Sequence, residues 1–334
     1  MTTFKEIRGT TIEVVSSDPA NPEPGQIWYN SSSGTLKGNL ALTAGWSSGG
    51  NLNTARRYLA GFGTQTAAIG AAGYTATNSI VTATESYNGT SWTSVNSLNS
   101  ARQRANNGGI GTQTAGLVVD GCNPVTSSIS STEKWNGTSW TTNPANTNTP
   151  RNSSGSAGIQ TAALLFGGST PNHVSPTAAT ESFNGSTWTS VNSLNTSRRV
   201  LGGTGLQTAA LAIGGEDPSN YVTATESYNG STWTSVNSIN TARSFMGTAG
   251  VSNTSALAFG GAVNGPPNNT TATESWNGTS WTTTTSMSQA RYGLGGAGIQ
   301  TSALAFGGYS GGVLSATEEW IGPGSYATKT ITVS

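Results

Sequence analysis

Residues 82–102 read TATESYNGTSWTSVNSLNSAR, and the same unit returns at 223–243 as TATESYNGSTWTSVNSINTAR. Looser copies occupy 131–151, 179–198 and 271–291, and a partial one 316–320. Tryptophans at 46, 92, 140, 188, 233 and 281 set the period at 45 to 48 residues. A unit of this length repeated along a chain is one supersecondary element that buries its apolar face only by stacking on its neighbours. The repeat therefore decides the fold.

Each copy reads as four short strands with no helical period. In one copy these are a Gly/Ala-rich strand at 201–205, an apolar one at 209–215, TATESY at 223–228 and WTSV at 233–236. Small residues in the first strand suit close approach of neighbouring backbones. The third strand ends on an aromatic in all six copies: Tyr87, Trp135, Phe183, Tyr228, Trp276 and Trp320. With the tryptophan opening the fourth strand, two aromatics per unit are expected to fill the wedge between adjacent sheets. Asn-Gly follows at Asn88, Asn136, Asn184, Asn229 and Asn277, read as a tight hairpin turn because both residues tolerate positive φ. These five are also Asn-x-Ser/Thr sequons, for which the turn itself is a sufficient reason.

First, second and third strands number six, but only five fourth strands follow them. Trp46 precedes Arg56 by the spacing that separates Trp92 from Arg102. Residues 40–48 are thus expected to supply the missing strand, closing the ring and removing its edges. Residues 326–333, YATKTITV, rival them for that place or lie beside the amino-terminal segment. The expectation is an all-β chain: a six-bladed propeller over 38–334, with repeats from about 58 to 320, and a small β module over 1–37. That module holds Lys5, Glu6, Arg8, Glu13, Asp18, Glu23 and Lys37. Its two short strands around a Ser/Gly turn at 25–38 are too few to be stable alone, so it must pack on something else.

Composition narrows the function. The chain has 334 residues, 14 basic and 14 acidic, and its 8% charge offers no footprint for nucleic acid or an anionic membrane. Ser, Thr, Asn and Gly abound, yet ten tryptophans supply a core that a disordered tract lacks. The lone Cys122 excludes an intramolecular disulfide and a cysteine zinc site, and the start has no apolar signal region. With one histidine, His173, no metal site or nucleophilic triad is assembled, so no cofactor and no enzyme activity are expected.

Arginine recurs at Arg56, Arg102, Arg151, Arg198, Arg243 and Arg291, and glutamate at Glu85, Glu133, Glu181, Glu226, Glu274 and Glu318. A ring of arginines could bind an anion, but six against six favours structural pairing. The copies differ most between second and third strands, whereas the opposite turns barely change. One constant and one diverse face is the pattern of a scaffold presenting binding loops. Tyr74, Asn78, Asn123, Asn172, His173, Asn220, Tyr221, Asn264, Asn268 and Tyr309 are the candidate contact residues, suited to sugars.

The layout resembles the kelch family of β-propellers: Gly-Gly after the second strand at 167–168, 214–215, 260–261 and 307–308, an aromatic in the third, Trp opening the fourth, then Arg. It departs at Ala71-Ala72 and Asp120-Gly121. The amino-terminal GQIWYN with a following GTLK resembles a short module of bacteriophage fibre and other virion structural proteins. That resemblance implies a non-catalytic virion fibre or adhesin, docked to other virion proteins through 1–37 with Trp28 and Tyr29. Its propeller would bind a host surface glycan or protein, with no membrane insertion, and further copies would assemble with it. The virion is the expected location, extracellular after lysis of the host. A capsid decoration protein and a cellular kelch interaction module are the alternatives.

Overall fold

The structure is a computed structural model that describes residues 12–105, 107–123, 128–170 and 175–332. Among these there is no helix, and the fold is all-β, built on repeated four-stranded sheets of the β-propeller type. The chain divides into two compact units, one of residues 1–44 with 321–334 and one of residues 45–320.

The smaller unit is a four-stranded sheet. Strand β1 (Glu13–Val15) pairs parallel with β2 (Ile27–Asn30), β2 antiparallel with β3 (Thr35–Ala41), and β3 antiparallel with Tyr326–Thr330. Residues 326–330 thus belong here, and the boundary read at residue 37 falls inside β3. The cause is visible in the ladder, where Leu40 lies opposite Ala327 and Ala41 opposite Tyr326. Asp18 organises the unit, accepting from Trp28 Nε1 at 3.0 Å, Asn30 Nδ2 at 2.7 Å and Lys37 Nζ at 2.7 Å. These donors, Lys37 foremost, hold its carboxyl down at about 2.

Among the described residues of the larger unit six four-stranded sheets follow one another. Five are contiguous in sequence, such as Gly202–Leu206, Ala209–Ile213, Thr225–Tyr228 and Trp233–Val236, paired antiparallel in that order. The sixth takes Gly295–Ile299, Ser302–Phe306 and Thr317–Ile321 from one end of the unit and β4 (Gly45–Gly49) from the other. The completing strand is shorter than 40–48, because residues 40 and 41 are engaged in β3.

Neighbouring sheets are joined by three recurring devices. First, the fourth-strand Trp packs on a phenylalanine in the second strand of the preceding sheet, with ring centroids at 4.8 Å for Trp92 and Phe306, 4.8 Å for Trp233 and Phe166, and 5.0 Å for Trp46 and Phe259. Second, the fourth-strand Trp donates its indole N–H to a threonine on the preceding sheet. Trp140 meets Thr84 at 3.1 Å and Trp46 meets Thr273 at 2.9 Å, while Trp92 reaches Thr317 of the sixth sheet at 3.0 Å. Third, a glutamine in the turn after the first strand donates to the backbone carbonyl of the preceding sheet's aromatic. Gln113 reaches Tyr87 O and Gln207 reaches Phe183 O, each at 2.6 Å, and Gln65 reaches Trp320 O, also at 2.6 Å. The innermost strands approach so closely that a Cβ at Gly61 would sit 2.7 Å from Gly296 O.

The Asn-Gly turns differ from the expected two-residue type. Tyr87 lies opposite Trp92, leaving a four-residue loop of which only Gly89 has positive φ, at 90°. The Asn88 side chain folds over the loop, its Oδ1 accepting from the N–H of Thr90 and of Ser91 at 2.9 Å each. The asparagine is there as a side-chain acceptor rather than for left-handed backbone.

Because Trp92 fills the seam between the first and sixth sheets, Trp92→Ala is expected to cost about 3–5 kcal/mol. Urea denaturation checks this, and a loss under about 1 kcal/mol would place Trp92 outside the core.

Candidate functional site

Every repeat arginine is fully buried and meets its glutamate. The distances are 2.9 Å for Arg56–Glu85, 2.6 Å for Arg102–Glu133 and Arg151–Glu181, 2.8 Å for Arg198–Glu226, 2.9 Å for Arg243–Glu274 and 2.7 Å for Arg291–Glu318. The arginine leaves the crossover ahead of a sheet and the glutamate lies in that sheet's third strand. The other guanidinium nitrogen donates to backbone carbonyls, as Arg198 does to Gly214 O and Ala224 O. The second carboxylate oxygen accepts a backbone N–H from the incoming chain, Asn195 on Glu226 at 2.7 Å. Burial pulls the Arg56, Arg102, Arg198, Arg243 and Arg291 guanidiniums below the usual arginine value, and the facing glutamate opposes it. These charges are consumed internally and unavailable to a ligand.

After the second strand, every copy turns through two left-handed residues: Ala72-Gly73 (φ 64° and 108°), Asp120-Gly121 (58° and 103°) and Gly-Gly in the other four. The first broken diglycine is thus aligned at 72–73, one residue later than the sequence comparison placed it. Asp120 is buried, its Oδ1 accepting from Thr147 Oγ1 at 2.8 Å and its Oδ2 lying 3.4 Å from Arg151 Nε. Burial outweighs Arg151 and pushes its pKa up to about 7.

Two residues beyond each buried arginine the chain turns left-handed again, at Tyr58, Arg104, Ser153, Val200, Phe245 and Gly293, with φ between 49° and 63°. These six are joined head to tail. Tyr58 N–H donates to Gly293 O at 2.7 Å, Gly293 to Phe245 at 2.9 Å, Phe245 to Val200 at 3.0 Å, Val200 to Ser153 at 2.8 Å, Ser153 to Arg104 at 2.8 Å and Arg104 back to Tyr58 at 3.0 Å. The result is a closed cycle of backbone hydrogen bonds through six different residue types. Two adjoining hollows of ≈ 30 and ≈ 220 Å³ share Arg104, Ser153, Val200 and Phe245.

The crossovers are tied to the variable loops by short bridges, Arg57 to Tyr74, Asn152 to Ser169, Arg199 to Glu216 and Tyr292 to Tyr309, so both lie on one face. The Arg57 guanidinium sits over the rings of Tyr58, Tyr74 and Tyr309 at 5.1, 5.2 and 4.7 Å. Arg104 sits over Tyr58 at 4.7 Å and Phe245 at 5.6 Å. Buried Tyr292 packs between Tyr58 and Phe245, and burial pushes its hydroxyl up to about 12.

The loop residues singled out from sequence have unequal parts. Tyr74 and Tyr309 are half-buried and join the Arg57 cluster, and Tyr221 lines the larger hollow with Glu216. Exposed Asn78 and Asn264 hold left-handed turn positions, φ 60° and 53°. The Asn220 and Asn268 N–H groups close turns on Asp217 Oδ1 and Gly265 O, and Asn123 is half-buried. Asn172 and His173 lie outside the described residues. Trp28, expected at a docking surface, is wholly buried against Asp18, while Tyr29 beside it is exposed. Among the described residues no group of three metal-ligating side chains occurs. Sequence reading missed Arg57, Tyr58, Arg104 and Phe245, although their divergence beside invariant arginines was the available signal.

Comparison with known protein families and with curated proteins returns no match to this chain.

Removing one partner of a buried ion pair strands the other charge. Arg198→Met is expected to cost about 3–5 kcal/mol in urea denaturation, and Arg198→Met/Glu226→Met to recover part of that loss. For Asp120, whose folded pKa stands above its unfolded value, the carboxyl's contribution to stability is full below pH 3.8. It is lost as pH rises towards about 7. Asp120→Gly installs the residue four other repeats carry there, so its gain in melting temperature over wild type should be larger at pH 8 than at pH 4.5.

Proposed function

We propose that the larger unit is a six-bladed, kelch-like propeller closed by β4, and that the protein is a non-catalytic virion component, a fibre or adhesin whose diverse face binds a host surface glycan or another virion protein. The observation that carries the reading is the confinement of variation to one face. Across six sheets the glutamine, tryptophan, arginine and glutamate devices recur almost unchanged, while the cycle residues and the loops bridged to them differ in every copy. A cycle of six and six consecutive four-stranded sheets support the blade count. The GQIWYN segment, whose Trp28 forms the core of the smaller unit and whose Tyr29 is exposed, supports attachment through that unit.

Gold-labelled antibody against the larger unit, imaged on purified particles, tests this. Label on tails or fibres is the expected result. Label over the capsid would replace the adhesin with a decoration protein, and particles free of label would overturn the virion reading and leave a cellular interaction module. Replacing the six variable loops with copies of one loop is expected to abolish host binding.

A further inference from the structure

We propose that the mouth encircled by the backbone cycle is a binding site for an acidic sugar, whose carboxylate is taken by Arg104 with Arg57 nearby and whose ring lies against the Tyr58 and Phe245 side chains. The inference rests on the display reading above and names the ligand class of the diverse face.

The argument begins with what the cycle does not need. Its hydrogen bonds use only N–H and C=O groups, and the same position accepts Gly293, Ser153 and Val200 in other repeats. An arginine at φ 51° is therefore not required by the fold and is disfavoured there relative to glycine. Arg104 and Arg57 both lie over the Tyr58 ring, at 4.7 and 5.1 Å from its centroid, so the two positive charges are less than about 10 Å apart. No carboxylate of the described residues forms an ion pair with either, whereas the third arginine of this face, Arg199, is paired with Glu216 at 2.9 Å. In a chain with 8% charged residues, every repeat arginine has its glutamate, and these two do not. An anion entering the mouth relieves their mutual repulsion and gains charge-assisted hydrogen bonds to a guanidinium.

The remainder of the lining selects a sugar among anions. Tyr58 and Phe245 are half-exposed and offer apolar ring surface. Around them the hollows are lined by the uncharged polar groups Asn107, Asn152, Ser153 and Ser169 and, in the larger one, by the Arg199–Glu216 ion pair, and the Ser169 hydroxyl is buried without a hydrogen-bond partner. Hydroxyls beside aromatic faces match a pyranose ring, and one guanidinium beside them matches one carboxylate.

Calorimetric titration of the full chain with a hexuronic-acid oligosaccharide, with the same oligosaccharide after reduction of its carboxyl groups, and with an oligoglutamate peptide is the test. The acid form is expected to bind at least about tenfold more tightly than the reduced form, and Arg104→Ser to remove that preference. Serine is the residue of the third repeat at this position, and unchanged near-ultraviolet circular dichroism would certify the fold. Equal binding of acid and reduced forms would overturn the carboxylate site while leaving a glycan-binding face intact. Preference for oligoglutamate would overturn the sugar assignment. Binding of none of the three, in a chain found on particle tails, would overturn the site without touching the virion reading.

Discussion

The buried arginine–glutamate pair is the interaction on which the larger unit depends. Each arginine emerges from a crossover and fixes, through one planar fork, the third strand by its glutamate and the strand ends by their carbonyls. The same carboxylate receives a backbone N–H from the incoming chain. One pair thus sets where a sheet begins and how the previous one ends. Burying such charges is costly. Although the Nε of each repeat arginine is buried without a hydrogen-bond partner, the glutamate together with the backbone groups at both ends of the pair offsets that cost. That is why the pair recurs in all six copies with distances confined between 2.6 and 2.9 Å.

Placing the load on these pairs frees the next residues. The crossover must turn sharply after the arginine, and the left-handed position two residues on does this by backbone alone. Side chains at that point face the mouth and are unconstrained by the repeat, which is how Tyr58, Arg104 and Phe245 gather while Gly293 leaves space. The constant ion pair and the divergent mouth are separated by two residues of chain.

Much of this was legible in the sequence. Tryptophan spacing set the period, the matched arginines and glutamates announced internal pairing, and the surplus Trp46 pointed to a strand borrowed from the other end. What escaped was geometry that residue type does not encode. Positive φ at Arg104 or Val200 has no sequence signature, since glycine occupies the position only once. The glutamine after the first strand reads as an ordinary turn residue until its amide is seen on a neighbour's carbonyl. The Asn-Gly pair suggested the commonest hairpin, and the extra two loop residues changed the asparagine's role from backbone to side-chain acceptor. Burial of Trp28 cannot be read from a short aromatic motif, and Asp18, ten residues away, is the group that draws it inward.

The composite sixth sheet governs how the larger unit comes apart. Termini are where chains usually fray and where proteases enter. Here the first strand of the unit, Gly45–Gly49, is the edge of a sheet whose other three strands come last in sequence, and Trp46 is pinned on Thr273 of the sheet before. Neither end of the repeat array can peel away as a small independent step. Opening must break a ladder and an aromatic seam together, so the unit has no cheap first event in unfolding, and its persistence in a harsh medium is set by the height of that barrier as much as by equilibrium stability.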